Sequence, residues 1–239
     1  TYDLDGGKNH TDNPANYTVE TETIWLKDAE KKGYTFEEWC EPFPGGYILW
    51  NQIKKGSTGN KTFQANWKIV TYGITYHLNG GENDTDNPVN YTIETATIWL
   101  KPAEKKGYTF KGWYNNAACS GSPVTDIVRG STGYKEFWAK WEAVTYSITY
   151  HLNGGSHSGN PASYNAEMGT ITLEDANKAN YTFKGWYDNA EFTGSPVTRI
   201  VKGSTGNKEL WAKWEAISYT ITYDLDGGKN HTDNPANYT

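Results

Sequence analysis

Internal repetition constrains this chain more than any other feature, because a sequence that repeats at a fixed period must fold as a series of like units. The segment "ITYHLNGG" starts at Ile74 and again at Ile148, "ITYDLDGG" starts at Ile221, and the chain opens with "TYDLDGG" at Thr1. Tyr2, Tyr76, Tyr150 and Tyr223 are therefore equivalent, at spacings of 74, 74 and 73 residues. "GYTFKGWY" at Gly107 returns as "NYTFKGWY" at Asn180 and as "GYTFEEWC" at Gly33. "KGSTGN" occurs at Lys55 and Lys202, with "RGSTGY" at Arg129, and "WAKWEA" occurs at Trp138 and Trp211, with "QANWKI" at Gln64. These columns define module one over residues 1–73, divergent at 38–52, module two over 74–147, module three over 148–220, and the opening of a fourth over 221–239. Residues 222–239 are identical to residues 1–18, so the higher-order unit is a block of three modules, and the chain is expected to be a window on a longer array. A partial module cannot complete its own core, so 221–239 is expected to fray or to pair outside the chain.

Composition narrows the class. Aromatic residues make up 15% of the 239-residue chain, with 11 Trp and 18 Tyr, which excludes a disordered chain. Mean hydropathy is −0.79, so the apolar material sits in a few large side chains. The net charge of −6 argues against nucleic acid as a partner. No apolar run approaches the length of a membrane span, so no membrane insertion is expected. No signal peptide is visible, and an exported protein would carry it outside these residues.

Periodicity within module two gives the local structure. Ile74, Tyr76 and Leu78 alternate with Thr75 and His77, a half-buried strand. Asn79–Gly81 and the Asn/Asp-rich run to Pro88 read as a loop, and Tyr91–Ile98 as a second strand with a turn near Thr95. Residues 100–107, "LKPAEKKG", are helix-like, with Pro102 in the first turn and Gly107 as the stop. Tyr108–Tyr114 is an aromatic strand, with a bulge expected at Gly112 because Trp113 falls out of phase. Gly130–Gly133 is a turn, and Phe137, Ala139 and Trp141 alternate in a last strand. The expected core is Tyr76, Trp99, Tyr108, Phe110, Trp113, Phe137 and Trp141. The fold class expected is α+β, mostly β: small sheets with one short helix each. Residues between Trp141 and Leu152 keep strand parity without a Gly, Ser-rich or Pro-rich tether, which predicts stiff joints and an elongated rod.

The blocks "ITYHLNGG", "YTIET", "GYTFKGWY", "GSPVT", "KGSTG" and "LWAKW", in one order over all three modules, resemble the Listeria–Bacteroides repeat, the module of the internalin B B-repeat region and of many Gram-positive surface proteins. The resemblance implies a β-grasp-like fold, extracellular display on the bacterial cell surface, tandem use as stalk, fibre or adhesin spacer, and no catalytic residues. Its implied partners are neighbouring repeats of the same longer chain, with a host surface protein or glycan and lateral self-association as further options. Module one departs from the pattern where Glu38 replaces Gly and Cys40–Gln52 replaces the "YNNAACSGSPVTD" stretch, and module three has Thr172 where the others have Trp25 and Trp99.

Candidate chemistry is sparse. The carboxylate pairs Glu20/Glu22 and Asp3/Asp5 lie on polar faces or loops, and module two replaces the second by His77 and Asn79, so an enzyme is not expected. The Asp3–Gly7 loop with Asn9 and Asp12 carries oxygen ligands but lacks EF-hand spacing, and a solvated turn is favoured over calcium. His10, His77, His151, His157 and His231 show no zinc spacing and are expected at the surface, and no cofactor is called for. Cys40 and Cys119 fall in different repeat columns and are expected as free thiols. The Asn-x-Ser/Thr matches recur with the repeat columns and are treated as composition. Trp138 and Trp211 share parity with lysines rather than with the core, and module one has Gln64 in their place. They either pack locally or present an aromatic face to a glycan or protein. Trp50, within the non-repeated stretch, is a third candidate contact.

Overall fold

The computed structural model describes residues 1–239, and the chain divides into two compact units, residues 1–104 with 110–140 and residues 105–109 with 141–239. Module one contains β1 (Tyr2–Asp3), β2 (Ile24–Trp25), β3 (Tyr34–Phe43), β4 (Gly46–Trp50), β5 (Gln52–Ile53) and β6 (Phe63–Ile69). Module two contains β7 (Tyr72–His77), β8 (Asn90–Tyr91), β9 (Ile98–Trp99), β10 (Tyr108–Tyr114), β11 (Asp126–Ile127) and β12 (Lys135–Ala143). Module three contains β13 (Tyr146–His151), β14 (Ser163–Tyr164), β15 (Ile171–Thr172), β16 (Tyr181–Tyr187), β17 (Arg199–Ile200) and β18 (Lys208–Ala216), followed by β19 (Tyr219–Thr220) and β20 (Asn237–Tyr238). The main sheets run β1-β6-β3-β4, β10-β12-β7-β8 and β14-β13-β18-β16, and each module adds a two-stranded sheet, β2-β5, β9-β11 or β15-β17.

In every module the first strand lies beside the last and parallel to it. Tyr2 pairs with Phe63, Ile74 through His77 pair with Lys135 through Trp138, and Ile148 through His151 pair with Lys208 through Trp211. The alternating apolar residues of these strands point to one face, as period-two sequence requires. Trp39, Trp113 and Trp186 are almost wholly buried at the centre of that face, with Phe63, Phe137 or Leu210 beside them. Tyr2, Tyr76 and Tyr150 each meet the central Trp edge-on at 5.1–5.3 Å between ring centres. Full burial of such rings contributes about 1.5–3 kcal/mol each, which a module of this size needs.

The expected α+β class is corrected: the fold is all-β, and the helix-like segment 100–107 is extended chain ending in a turn. With no helix across the sheet, the β-grasp-like reading, a sheet with one short helix, fails with it. The reason is local. The Asn87 side chain accepts from the Lys101 N–H at 2.7 Å and donates to the Lys101 carbonyl at 2.9 Å. The Trp113 indole donates to the same carbonyl at 2.8 Å. Glu104 exchanges backbone hydrogen bonds with Glu82 at 2.8 and 2.9 Å, and Ala103 is buried between these anchors. Backbone groups that a helix would turn inward are already satisfied, and a segment this short gains too little from nucleating one. The same clamp joins Asn13 to Lys27 and Asn160 to Glu174, with Trp39 and Trp186 donating to those carbonyls.

Three further expectations change. Trp99, placed in the core by its hydrophobicity, is exposed. Residues 91–98 are not one strand: Tyr91 ends β8, a turn closed by the Thr95 N–H on the Thr92 carbonyl follows, and β9 begins at Ile98. Residues 221–239 do not fray entirely, because Tyr219 and Thr220 pair with Tyr238 and Asn237, and the Tyr223 hydroxyl donates to the Pro235 carbonyl at 3.0 Å.

The glycine at the bulge is required by its surroundings. Gly112 has φ +121°, and a Cβ there would lie 2.9 Å from Pro123; Gly185 repeats this against Pro196. Module one carries Glu38 in that column, where β3 runs on into a hairpin turned at residues 43–46, and the Glu38 carboxylate accepts from Asn66.

Candidate functional site

Two features recur with the modules and face outward or toward the next module: the joints and a set of non-core aromatics. At the first joint, two residues separate β6 from β7, and the Val70 N–H donates to the Gly33 carbonyl at 3.0 Å. Gly33 has φ +79°, and a Cβ there would stand 2.7 Å from Ile93, so module one's turn sits directly on module two's Thr92–Thr95 turn. The Lys32 ammonium donates to the Gly130 carbonyl at 3.1 Å and the Tyr34 hydroxyl donates to Glu94, which raises the Tyr34 pKa. The second joint repeats the plan: two residues separate β12 from β13, Val144 donates to the Gly107 carbonyl, and a Cβ on Gly107 would be 3.0 Å from Ala166 and 3.1 Å from Thr205. The first joint is thus a braced strand rather than a tether, and at the second the Gly107 turn packs with module three.

Trp138 and Trp211 lie on the sheet face opposite the central Trp, as their parity indicates, and both are half-buried. Trp138 stacks on His77 with ring centres 4.3 Å apart and planes 9° apart, and His77 Nε2 is 3.1 Å from Glu136. Trp211, His151 and Glu209 repeat the arrangement, stacked at 4.3 Å and 11° with a 3.2 Å contact. His77 and His151 are thereby partnered cross-strand neighbours of tryptophan. In module three Trp211 also lies opposite Tyr187, over which the Lys213 ammonium sits at 5.1 Å. One indole face of each Trp is therefore covered within its own module. Module one has Asp3 and Gln64 at these positions and no stack.

Trp50 turns toward the core of module one, edge-on to Phe63 at 5.7 Å, with the Lys61 ammonium 4.9 Å above its ring and its indole N–H buried without a partner. The most accessible tryptophans are ones that sequence reasoning missed: Trp25 is 60% exposed and Trp99 67%. They sit on the small two-stranded sheets opposite Gln52 and Asp126. The signal was present in module three, where the equivalent Thr172 shows that the column tolerates a polar residue.

The remaining candidates disperse. Asp5 pairs with Lys31, Glu22 pairs with Lys55, and the Asn9 carbonyl oxygen accepts from Asn13, so these oxygens serve protein donors. Cys40 is a buried free thiol, its pKa pushed up by burial and by Glu38, and Cys119 is a second free thiol. His157 is not at the open surface: it lies 4.3 Å from the Tyr150 ring, with Nδ1 buried and unpartnered. A groove of about 670 Å³ in module one is lined by Tyr2, Tyr17, Lys61 and neighbouring Thr, Asn and Gly residues, without a carboxylate, imidazole or thiol.

Comparison with known proteins gives one consistent result. The family model of the Listeria-Bacteroides repeat domain matches residues 1–66, 72–140 and 146–213. Among curated relatives from Evansella cellulosilytica, a protein named as a Gly-rich membrane protein is 30% identical over 203 residues, covering 83% of this chain and 23% of its own length. A second, named as a membrane protein, is 31% identical over 186 residues, covering 74% of this chain and 26% of its own length. The chain thus spans about a quarter of the length of these relatives.

Proposed function

The chain belongs to the Listeria–Bacteroides repeat family, and from that premise we propose that it is a non-catalytic spacer segment of a longer bacterial cell-envelope protein, displayed outside the cell as a stalk. The relatives' names as membrane proteins support the envelope, and the family's tandem use supports the structural role. The observation that carries the reading is the parallel pairing of first and last strands. In modules two and three the chain enters at the start of β7 or β13 and leaves at the end of β12 or β18. Tension applied through the joints pulls these neighbours in opposite senses along their length. The interstrand hydrogen bonds are then strained together rather than opened one after another. Because contacts are made within a module and to the adjacent turn, length can grow by duplication without refolding.

Stretching single chains tests this. Each complete module should yield in one abrupt step, releasing on the order of 200 Å at 3.3–3.6 Å per residue. Smooth extension at low force, without discrete steps, would refute a spacer that works under tension.

A second reading has its own observation, the repeated exposure of Trp25 and Trp99. Weak identical aromatic sites on successive modules gain avidity for a glycan or a host surface protein by repetition. Tryptophan quenching by a glycan panel that is lost in Trp99→Thr favours it; a flat response across the panel removes it.

A further inference from the structure

Each main sheet has four strands, but module one alone places a strand, β4, beyond β3, and it lies at the edge. Modules two and three replace it by a loop pinned through the side chains of Asn116 and Asn189. Edge strands of folded proteins are normally blunted by charge, proline or a bulge, because their free N–H and C=O groups are a template for another strand. β4 has none of these. Gly45–Gln52 contains no charged residue, and Tyr47, Ile48 and Leu49 are 60%, 50% and 57% exposed.

The register shows what fits that edge. Phe43 faces Gly46 across a two-residue turn, then Pro42 faces Tyr47, Glu41 faces Ile48, Cys40 faces Leu49 and Trp39 faces Trp50. Hydrogen-bonded and non-bonded pairs alternate in an antiparallel ladder, beginning with a bonded pair at a two-residue turn. Gly46, Ile48 and Trp50 therefore bond inward to β3, and Pro42, which has no N–H, falls at a non-bonded pair. Tyr47 and Leu49 turn their backbone N–H and C=O groups outward. These outward groups are symmetric about Ile48, so the edge is complementary to itself.

We propose that β4 is a self-pairing edge, through which two copies of this chain join their module-one sheets antiparallel about a twofold axis at Ile48. Tyr47 then lies opposite the partner's Leu49 and Leu49 opposite the partner's Tyr47, and every outward donor and acceptor of the two residues is satisfied. Ile48 meets its own copy on one face of the sheet. β4 itself carries no charge to oppose the approach, and the isologous contact closes at a dimer. This pairing does not depend on the spacer reading, which concerns force along one chain.

Sedimentation equilibrium of the full 239-residue chain over a wide concentration range tests it. The expected result is a mass that rises with concentration from 26.8 kDa to twice that value and no further. Leu49→Pro removes an outward N–H and no bond to β3, and proline is tolerated on an edge strand, so this variant should remain monomeric with unchanged circular dichroism. Ile48→Glu places like charges against each other on the axis, with Glu41 of β3 adding to the repulsion, and should also remain monomeric. A chain that stays at 26.8 kDa at every concentration overturns the proposal. So does growth beyond the dimer, or dimerisation of Leu49→Pro as strong as that of the parent.

Discussion

Each tyrosine at the head of a module donates its hydroxyl to the carbonyl of the proline that closes the following loop. Tyr2 reaches Pro14, Tyr76 reaches Pro88 and Tyr150 reaches Pro161, all at 3.1 Å. The ring packs on the central Trp while the hydroxyl anchors the loop, so one side chain ties sheet to loop. Burial pushes the Tyr76 and Tyr150 phenols up to about 12 from an ordinary value near 10. The folded state therefore favours the neutral phenol more than the unfolded state does. That stabilisation is complete below about pH 10 and is lost as pH rises through about 12. The denaturant midpoint should hold level up to about pH 10 and then fall, and Tyr76→Phe should reduce the fall at the expense of its bond to Pro88. A midpoint that is level to pH 12 in the parent chain would contradict the assignment. At this scale the sequence was partly legible. The columns of Tyr2, Trp113 and Phe137 announced buried aromatics, whereas Trp99 was misplaced because hydrophobicity alone does not say on which sheet a residue stands.

The segment 100–107 marks where local pattern and tertiary structure part. Its Glu and Lys residues favour helix, with Pro102 suited to a first turn and Gly107 to a stop, but propensity is a weak prior that neighbouring groups override. Here Asn87, 14 residues upstream, and Trp113, 12 residues downstream, hold the peptide at Lys101 in extended form. The asparagine stands before proline in every module, at Asn13, Asn87, Asn160 and Asn234, and is buried in the first two, a recurrence visible in the sequence but read there as loop composition. Asn87→Ala removes both bonds to Lys101 and leaves the part-buried Lys101 N–H without its acceptor, which should cost about 1–3 kcal/mol in module two's unfolding free energy. A change below about 0.5 kcal/mol, the range of ordinary surface substitutions, would mean that the clamp does not hold the segment. The bulge was legible because the aromatic phase breaks at this glycine column: in module three the ladder shifts register between Phe183 and Trp186, around Gly185. The β3–β4 hairpin was not, because Cys40–Gln52 has no counterpart in the other modules from which to infer its pairing.

At the scale of the whole molecule, repetition was the most legible property, and it set the family and the three tandem repeats. What no repeat pattern reveals is which turn rests on which. The Gly33 and Gly107 turns, each seated on a turn of the following module, supply that brace. The central claim is that braced modules in series act as a spacer, and small-angle X-ray scattering on the chain at several concentrations tests it most directly. Leu49→Pro is the form to measure, so that pairing through β4 does not enter. A spacer predicts a radius of gyration of about 30 Å that does not change with concentration, since three modules of compact-domain size in line reach on the order of 100 Å. A value near 18 Å, the size of a single collapsed globule of this length, would contradict it.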